Sequence, residues 1–168
     1  MAFEKWNRYV HPDWEGLRGT ENRHYFKALD LTEEQQNIRA LEEELEITLP
    51  EVLLAFYREL GIGFLCAGER RKRGHYRTFS PGELLELYFE PEDEGAEDLW
   101  ITFRDRAWEN LENHALLALC DYGDEDSLIY LGLTDGAVYY LSPSRKIAAS
   151  LEEFLDRLDE KADYFAAP

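Results

Sequence analysis

The sequence has few of the features that build disulfide frameworks, secretion signals or membrane spans. It contains only two cysteines, Cys66 and Cys120. Both lie in apolar runs, which favours two buried thiols over a disulfide framework or a thiolate metal site. No apolar run approaches the length of a membrane span, and no apolar segment follows a basic start. These absences predict a cytosolic chain.

Cations are scarce as well. Lysine and arginine number 18 against 36 aspartates and glutamates, so the formal net charge is -18. Surfaces that bind phosphate need clustered cations, so this charge predicts neither nucleic acid nor a membrane as a partner. It favours a positively charged partner, with acidity that serves only solubility as the alternative interpretation.

Motifs of catalysis and of cofactor binding are missing too. The sequence shows no nucleophile elbow and no phosphate-binding glycine loop, since Gly61 and Gly63 lack the rest of such a motif. The four histidines are isolated along the chain and form no local metal signature. The sequence therefore predicts no enzymatic activity, no cofactor and no metal. A carboxylate-based hydrolase stays open as an alternative, because acids are too numerous for a catalytic pair to be chosen without geometry.

The residues that are present predict one packed domain. The chain has 168 residues, of which 45% are hydrophobic and 14% aromatic, enough for a substantial core. Residues 1–30 carry aromatic side chains without a clean period, which predicts an irregular N-terminal arm packed on the domain. Residues 31–168 predict an α+β domain, a mostly antiparallel sheet covered on one face by helices.

Several helix starts are readable. Thr32 and Gln35 have the spacing of a capping box, and Leu49-Pro50 precedes a second apolar helix. Ser80-Pro81-Gly82-Glu83 has the same capping pattern with proline at the first helical position. Residues 99–113 are ambiguous, although their second half favours a helix.

The last third of the chain reads as one unit. Apolar runs at residues 115–120, 127–131 and 135–141 alternate with turn residues, which predicts an antiparallel meander. Residues 147–155 then have the pattern of a strand that runs into an amphipathic helix with its own cap.

The order of these pieces resembles the SUKH superfamily, which includes bacterial immunity proteins and fungal cell-wall glucan-synthesis regulators. The resemblance covers about residues 32–158. The matching features are the two helices joined at Leu49-Pro50, the glycine turn Gly61-Ile-Gly63-Phe64, the helix start at Ser80, the turn Cys120-Asp-Tyr-Gly-Asp124 and the final strand and helix from Ile147 to Leu155. It implies a domain without enzymatic activity. In bacteria, members of this superfamily lie beside polymorphic toxins, often nucleases, which they bind and neutralise.

The acidic segments are the predicted partner-binding surface. The proposed contact residues are Glu90, Glu92, Asp93, Glu94, Glu97 and Asp98, with Asp121 and Asp124 as a second group. The alternatives are an ordinary solvated loop for the first group and a hairpin turn for the second. The second group lacks the regular spacing of a calcium loop.

One basic run opposes this charge. Arg70–Arg73 and Arg77 supply five cations within eight positions. A contact with nucleic acid is disfavoured by the acidity of the rest of the chain. Internal ion pairs, or a contact with another acidic copy of this chain in a homodimer, fit better.

These observations together predict a non-enzymatic, cytoplasmic immunity-type protein that binds a basic, nuclease-like toxin domain through an acidic surface. One alternative is a regulatory scaffold of the same fold that binds cellular signalling proteins. The other is the carboxylate-based hydrolase, which predicts a deep cleft with two facing acids and a raised pKa on one of them.

Overall fold

The computed structural model describes residues 2–17, 24–66, 76–89, 98–121, 127–162 and 164–165, with the backbone alone for Tyr76 and residues 98–103. A short 3-10 helix, here η1, covers Glu4–Tyr9. The α-helices are α1 (Leu31–Leu45), α2 (Glu51–Glu59), α3 (Pro81–Phe89), α4 (Asp98–His114) and α5 (Leu151–Glu160). The strands are β1 (Val10–His11), β2 (His24–Lys27), β3 (Ile62–Leu65), β4 (Tyr76–Arg77), β5 (Leu116–Asp121), β6 (Leu128–Gly132), β7 (Val138–Tyr140) and β8 (Lys146–Ala148).

The described strands form two four-stranded sheets, with the orders β1-β2-β3-β4 and β5-β6-β7-β8. β1 and β2 are parallel, and the other neighbours are antiparallel. Thr78 joins the sheets, because its N–H donates to the Gly63 carbonyl and it forms an isolated antiparallel bridge with Cys120. The predicted α+β fold is confirmed, and the predicted meander is the second sheet.

The N-terminal residues differ from the irregular arm that the sequence predicted. β2 is an interior strand between β1 and β3, and its register pairs Phe26 with Gly63. The side chains of Trp6, Tyr25 and Phe26 are buried in the core. The strand was missed because its pairing partner lies 37 positions away and β2 is too short to show a period. The domain boundary near residue 30 stays a prediction.

The helix starts follow local capping chemistry. The capping box at Ser80 is confirmed, since its hydroxyl accepts the Glu83 N–H at 3.1 Å and its own N–H donates to the Glu83 carboxylate at 3.3 Å. The Ser150 hydroxyl likewise accepts a first-turn N–H of α5. The predicted cap at Thr32 is wrong by two positions. Asp30 is the N-cap, and its carboxylate accepts the Thr32 N–H at 2.9 Å.

The glycine turn before β3 is required by its surroundings. Gly61 has a φ of 90°, and a Cβ at this position would lie 2.0 Å from the Lys27 carbonyl oxygen. α1 packs on α3, α4 packs on β5 and α5 contacts β8, and one continuous hydrophobic core includes side chains from both sheets. Cys66 and Cys120 are both buried and form no disulfide, as predicted. None of the described helices is long and apolar enough to cross a membrane.

Candidate functional site

Only two of the predicted partner-binding residues fall within the described chain. Glu90, Glu92, Asp93, Glu94, Glu97 and Asp124 lie outside the described residues. Asp98 is the first residue of α4, and Asp121 is the last residue of β5, where it is half-buried. The basic run Arg70–Arg73 also lies outside the described residues.

α4 and β5 follow each other directly along the chain and pack together. A single residue, Ala115, with a φ of 53°, joins them. Tyr88 then contacts both elements, because its carbonyl accepts the Trp108 indole N–H at 2.9 Å and its hydroxyl accepts the Ala118 N–H at 3.1 Å. Tyr88 therefore links the end of α3 to both α4 and β5.

Arg104 fixes the end of α3 against α4. Its guanidinium donates to the carbonyl of Leu87 at 2.9 Å and to that of Glu86 at 3.3 Å. A cation at the last carbonyls of a helix is favoured by the helix dipole. This contact holds the point at which residues 90–97 leave α3 close to α4. Both acidic segments therefore leave the described core from the α3–α4–β5 unit.

A second acidic surface lies on α1. With its two capping residues, this helix carries seven carboxylates and one arginine, Arg39. The seven are Asp30, Glu33, Glu34, Glu42, Glu43, Glu44 and Glu46. Five of them are exposed, and two are half-buried. The negative charge of the protein is therefore not confined to the predicted partner-binding residues.

A buried polar network joins the N-terminal residues to α5. The Asp159 carboxylate accepts the Trp6 indole N–H at 3.0 Å through one oxygen and contacts His24 Nε2 at 2.8 Å through the other. The Cys66 N–H donates to His24 Nδ1 at 3.3 Å, which leaves Nε2 to carry the proton donated to Asp159. Tyr9 packs edge-on against the imidazole, whose centroid is 5.0 Å away.

Sequence reasoning missed this network. His24 and Asp159 are 135 positions apart, so no local spacing connects them. The one available signal is Asp159 itself, a carboxylate that directly follows Leu158, a buried position of an amphipathic helix.

An open cleft of about 350 Å³ lies beside this network, between η1 and α5; we name it the η1–α5 cleft. It is lined by Ala2, Glu4, Lys5, Trp6, Glu152 and Asp156. The Lys5 ammonium forms an ion pair with Asp156 and lies 4.8 Å from the centroid of the Trp6 ring. The cleft thus combines three carboxylates, one ammonium and an aromatic side chain.

Three described carboxyl groups have lowered pKa values. Burial is the largest single influence on the pKa of Asp159 and would raise it, but the hydrogen bonds from His24 and Trp6 together with the nearby positive groups outweigh burial and lower the pKa. A tyrosine hydroxyl lowers the pKa of Asp135, and a backbone N–H lowers that of Glu153. A general acid needs a raised pKa, so these three groups do not fit the carboxylate-based hydrolase. Within the described residues, no group of three or more His, Cys, Asp or Glu side chains could hold a metal ion.

Comparison with known proteins shows which family the sequence resembles and identifies a similar protein. The sequence model of the SMI1 / KNR4 family (SUKH-1) matches residues 32–157, from the first turn of α1 to α5. The chain is also similar to a protein named immunity protein YxxD from Bacillus subtilis (strain 168). The two are 27% identical over 141 residues, which cover 78% of this chain and 83% of the relative. η1, β1 and β2 lie outside the residues matched by the family model.

Proposed function

Because this chain belongs to the SMI1 / KNR4 family (SUKH-1), we propose that it is an immunity-type protein that binds a cognate protein toxin and thereby neutralises it. The observation that carries the proposal is the similarity to a relative named as an immunity protein, which spans most of both chains. The function proposed is binding rather than catalysis, carried out in the cytoplasm of a bacterial cell.

The toxin domain is proposed to be basic, as a nuclease that holds phosphate would be. The net charge of -18 supports this, because complementary charge steers two proteins toward encounter and disfavours partners of like charge. An acidic surface also resembles the field of the nucleic acid that such a toxin would bind. Binding there would block the toxin's substrate site by occupying it.

The partner-binding surface is proposed to comprise Glu90, Glu92, Asp93, Glu94, Glu97 and Asp98, with Asp121 and Asp124 beside them. Its support is that Asp98 begins α4 and Asp121 ends β5, two elements that pack together and are both bonded by Tyr88. Residues 90–97 directly precede α4 and residues 122–126 directly follow β5, so both acidic segments join the described core at this pair of elements.

Co-expression tests the function. The C-terminal domain of the protein encoded in the reading frame beside the gene for this chain is expressed from an inducible promoter, with and without this chain. We expect the domain to stop growth alone, and growth to return, with a co-purified complex, when this chain is present. A toxic domain that this chain neither binds nor neutralises would contradict the proposal. A domain that does not stop growth when expressed alone would contradict it as well.

Charge reversal tests the surface. Replacing Glu92, Asp93 and Glu94 by lysine should slow association with that toxin domain by about 10-fold at low salt, because steering is lost. The matched control replaces three exposed glutamates of α1, Glu33, Glu43 and Glu44, by lysine, which changes the net charge equally. If the two triple variants associate equally fast, the partner-binding surface lies elsewhere.

A further inference from the structure

The η1–α5 cleft already shows how it accommodates a positive charge. The Lys5 ammonium has two partners, the Asp156 carboxylate and the Trp6 ring, whose centroid is 4.8 Å away. A carboxylate together with an aromatic side chain is the combination that binds ammonium and guanidinium groups in proteins. The cleft therefore has the groups needed to bind a cationic side chain from outside.

The Trp6 ring is fixed in place before anything binds, and because this residue is only 1% exposed, a cation reaches the ring at the position that Lys5 now occupies. Its indole N–H donates to Asp159 at 3.0 Å, and the Phe3 ring packs against it with centroids 5.7 Å apart. Asp159 is in turn held by the buried His24. A binding group whose position is set by its neighbours loses little freedom when a ligand arrives. The buried polar network thus supports the wall of the cleft.

The Lys5 side chain is only weakly bound in the η1–α5 cleft. Its side chain is 60% exposed and that of Asp156 is 45% exposed, and ion pairs so open to water contribute little to stability. Lys5 can therefore swing away at small cost. Glu4 and Glu152 have no ion-pair partner among the described residues. The cleft consequently keeps a net charge of -2 even with Lys5 in place.

We propose that the η1–α5 cleft binds an arginine side chain of the partner protein, which displaces Lys5 from Trp6 and Asp156. The guanidinium stacks on the indole and donates to the carboxylates of Asp156 and Glu152. Arginine fits better than lysine, because its planar group both stacks on aromatic rings and donates several hydrogen bonds at once. This inference rests on the proposed function for the identity of the partner. The cleft lies partly outside the residues matched by the family model.

N-acetylarginine amide tests the cleft without the toxin. It is titrated into the full chain while the indole N–H resonance of Trp6, assigned by its loss in Trp6→Phe, is followed by NMR. Lys5→Met should bind the probe about 3- to 10-fold more tightly than the wild type, because the internal competitor is gone. The control is Arg58→Met, which removes another exposed cation, paired with Glu51 at 3.3 Å. It should change binding less than about 2-fold.

Each outcome of the titration either supports or overturns the proposal that the cleft binds arginine. Tighter binding in Lys5→Met than in Arg58→Met, reported at Trp6, supports the cleft. Equal gains in both variants would show a response to net charge alone and would overturn it, as would no response of the Trp6 signal in any variant.

A second experiment distinguishes failure of the cleft proposal from failure of the proposed function. The double variant Glu152→Gln, Asp156→Asn should bind the toxin domain about 10-fold more weakly than the wild type. If the wild type binds the toxin domain and this variant binds it equally well, the cleft proposal is overturned while the proposed function stands. If neither protein binds the toxin domain, the proposed function fails, and the arginine titration still decides whether the cleft takes a guanidinium.

Discussion

Replacing Asp159 by alanine tests whether the N-terminal residues are tied to α5. The change removes the acceptor of two donors, the indole N–H of Trp6 and Nε2 of His24. His24 is fully buried and Trp6 is 1% exposed, so neither donor can easily turn to water. Leaving a buried donor unsatisfied costs about 1–3 kcal/mol.

Two such donors would together cost about 2–6 kcal/mol. The expected loss of unfolding free energy is about 2–4 kcal/mol, in the lower part of this range, because Asp159 is 24% exposed and water can enter its place. At about 2–4 °C per kcal/mol for a domain of this size, the melting temperature should fall by about 4–16 °C. Urea denaturation followed by tryptophan fluorescence and circular dichroism measures the first quantity, and a thermal scan measures the second.

The matched control lies one helical turn away. Asp156→Ala removes a carboxylate from the same helix, but its partner Lys5 is 60% exposed, so the expected change is within about 0.5 kcal/mol. If Asp159→Ala destabilises the protein no more than Asp156→Ala, the network does not hold the N-terminal residues to α5.

The same network predicts a pH dependence. Burial raises the pKa of Asp159, but the hydrogen bonds from His24 and Trp6 together with nearby positive groups leave it lowered in the folded protein. A lowered folded-state pKa contributes stability above the unfolded value of about 3.9, and this contribution is lost as pH falls through the folded value. The stability difference between the wild type and Asp159→Asn should therefore shrink as pH falls from 6 toward the folded pKa of Asp159. A difference that stays constant over this range would contradict the assignment.

Two further substitutions test the fold. Gly61→Ala should lower the free energy of unfolding by more than about 2 kcal/mol, since its Cβ would meet the Lys27 carbonyl. Gly136→Ala, with φ 71° and nothing within 4 Å of the added Cβ, should lower it by only about 1 kcal/mol. Equal losses of melting temperature in the two variants would refute the close approach at Gly61. Tyr57→Phe should cost about 1–2 kcal/mol in urea denaturation, because the buried hydroxyl donates to the Phe79 carbonyl at 2.8 Å, and an unchanged midpoint would contradict that.

Local signals in the sequence predicted the elements whose causes are local. Ser80 and Glu83 are three positions apart and cap each other, so the sequence alone placed the start of α3. The same reasoning placed the cap of α1 at Thr32 instead of Asp30. Both side chains carry an acceptor oxygen, and only the path of the preceding chain decides between them.

Elements that depend on distant partners could not be predicted in this way. β2 is a strand because β3 pairs with it, and nothing within its four residues indicates that partner. The contacts of Asp159 are likewise set by the tertiary fold. The predicted partner-binding surface depended on charge alone, and charge is spread over α1 and α5 as well, so composition could indicate the kind of partner but not a unique surface.

The most direct test of electrostatic steering is the association rate of this chain with the proposed toxin domain as a function of salt. Steering predicts rapid association at low ionic strength and a steep decline as salt screens the acidic surface, since the Debye length falls from about 30 Å at 0.01 M to about 8 Å at 0.15 M. Stopped-flow fluorescence across this range gives the slope. A complex whose association rate does not change with salt, or the lack of any complex, would contradict the claim that negative potential directs this protein to a positively charged partner.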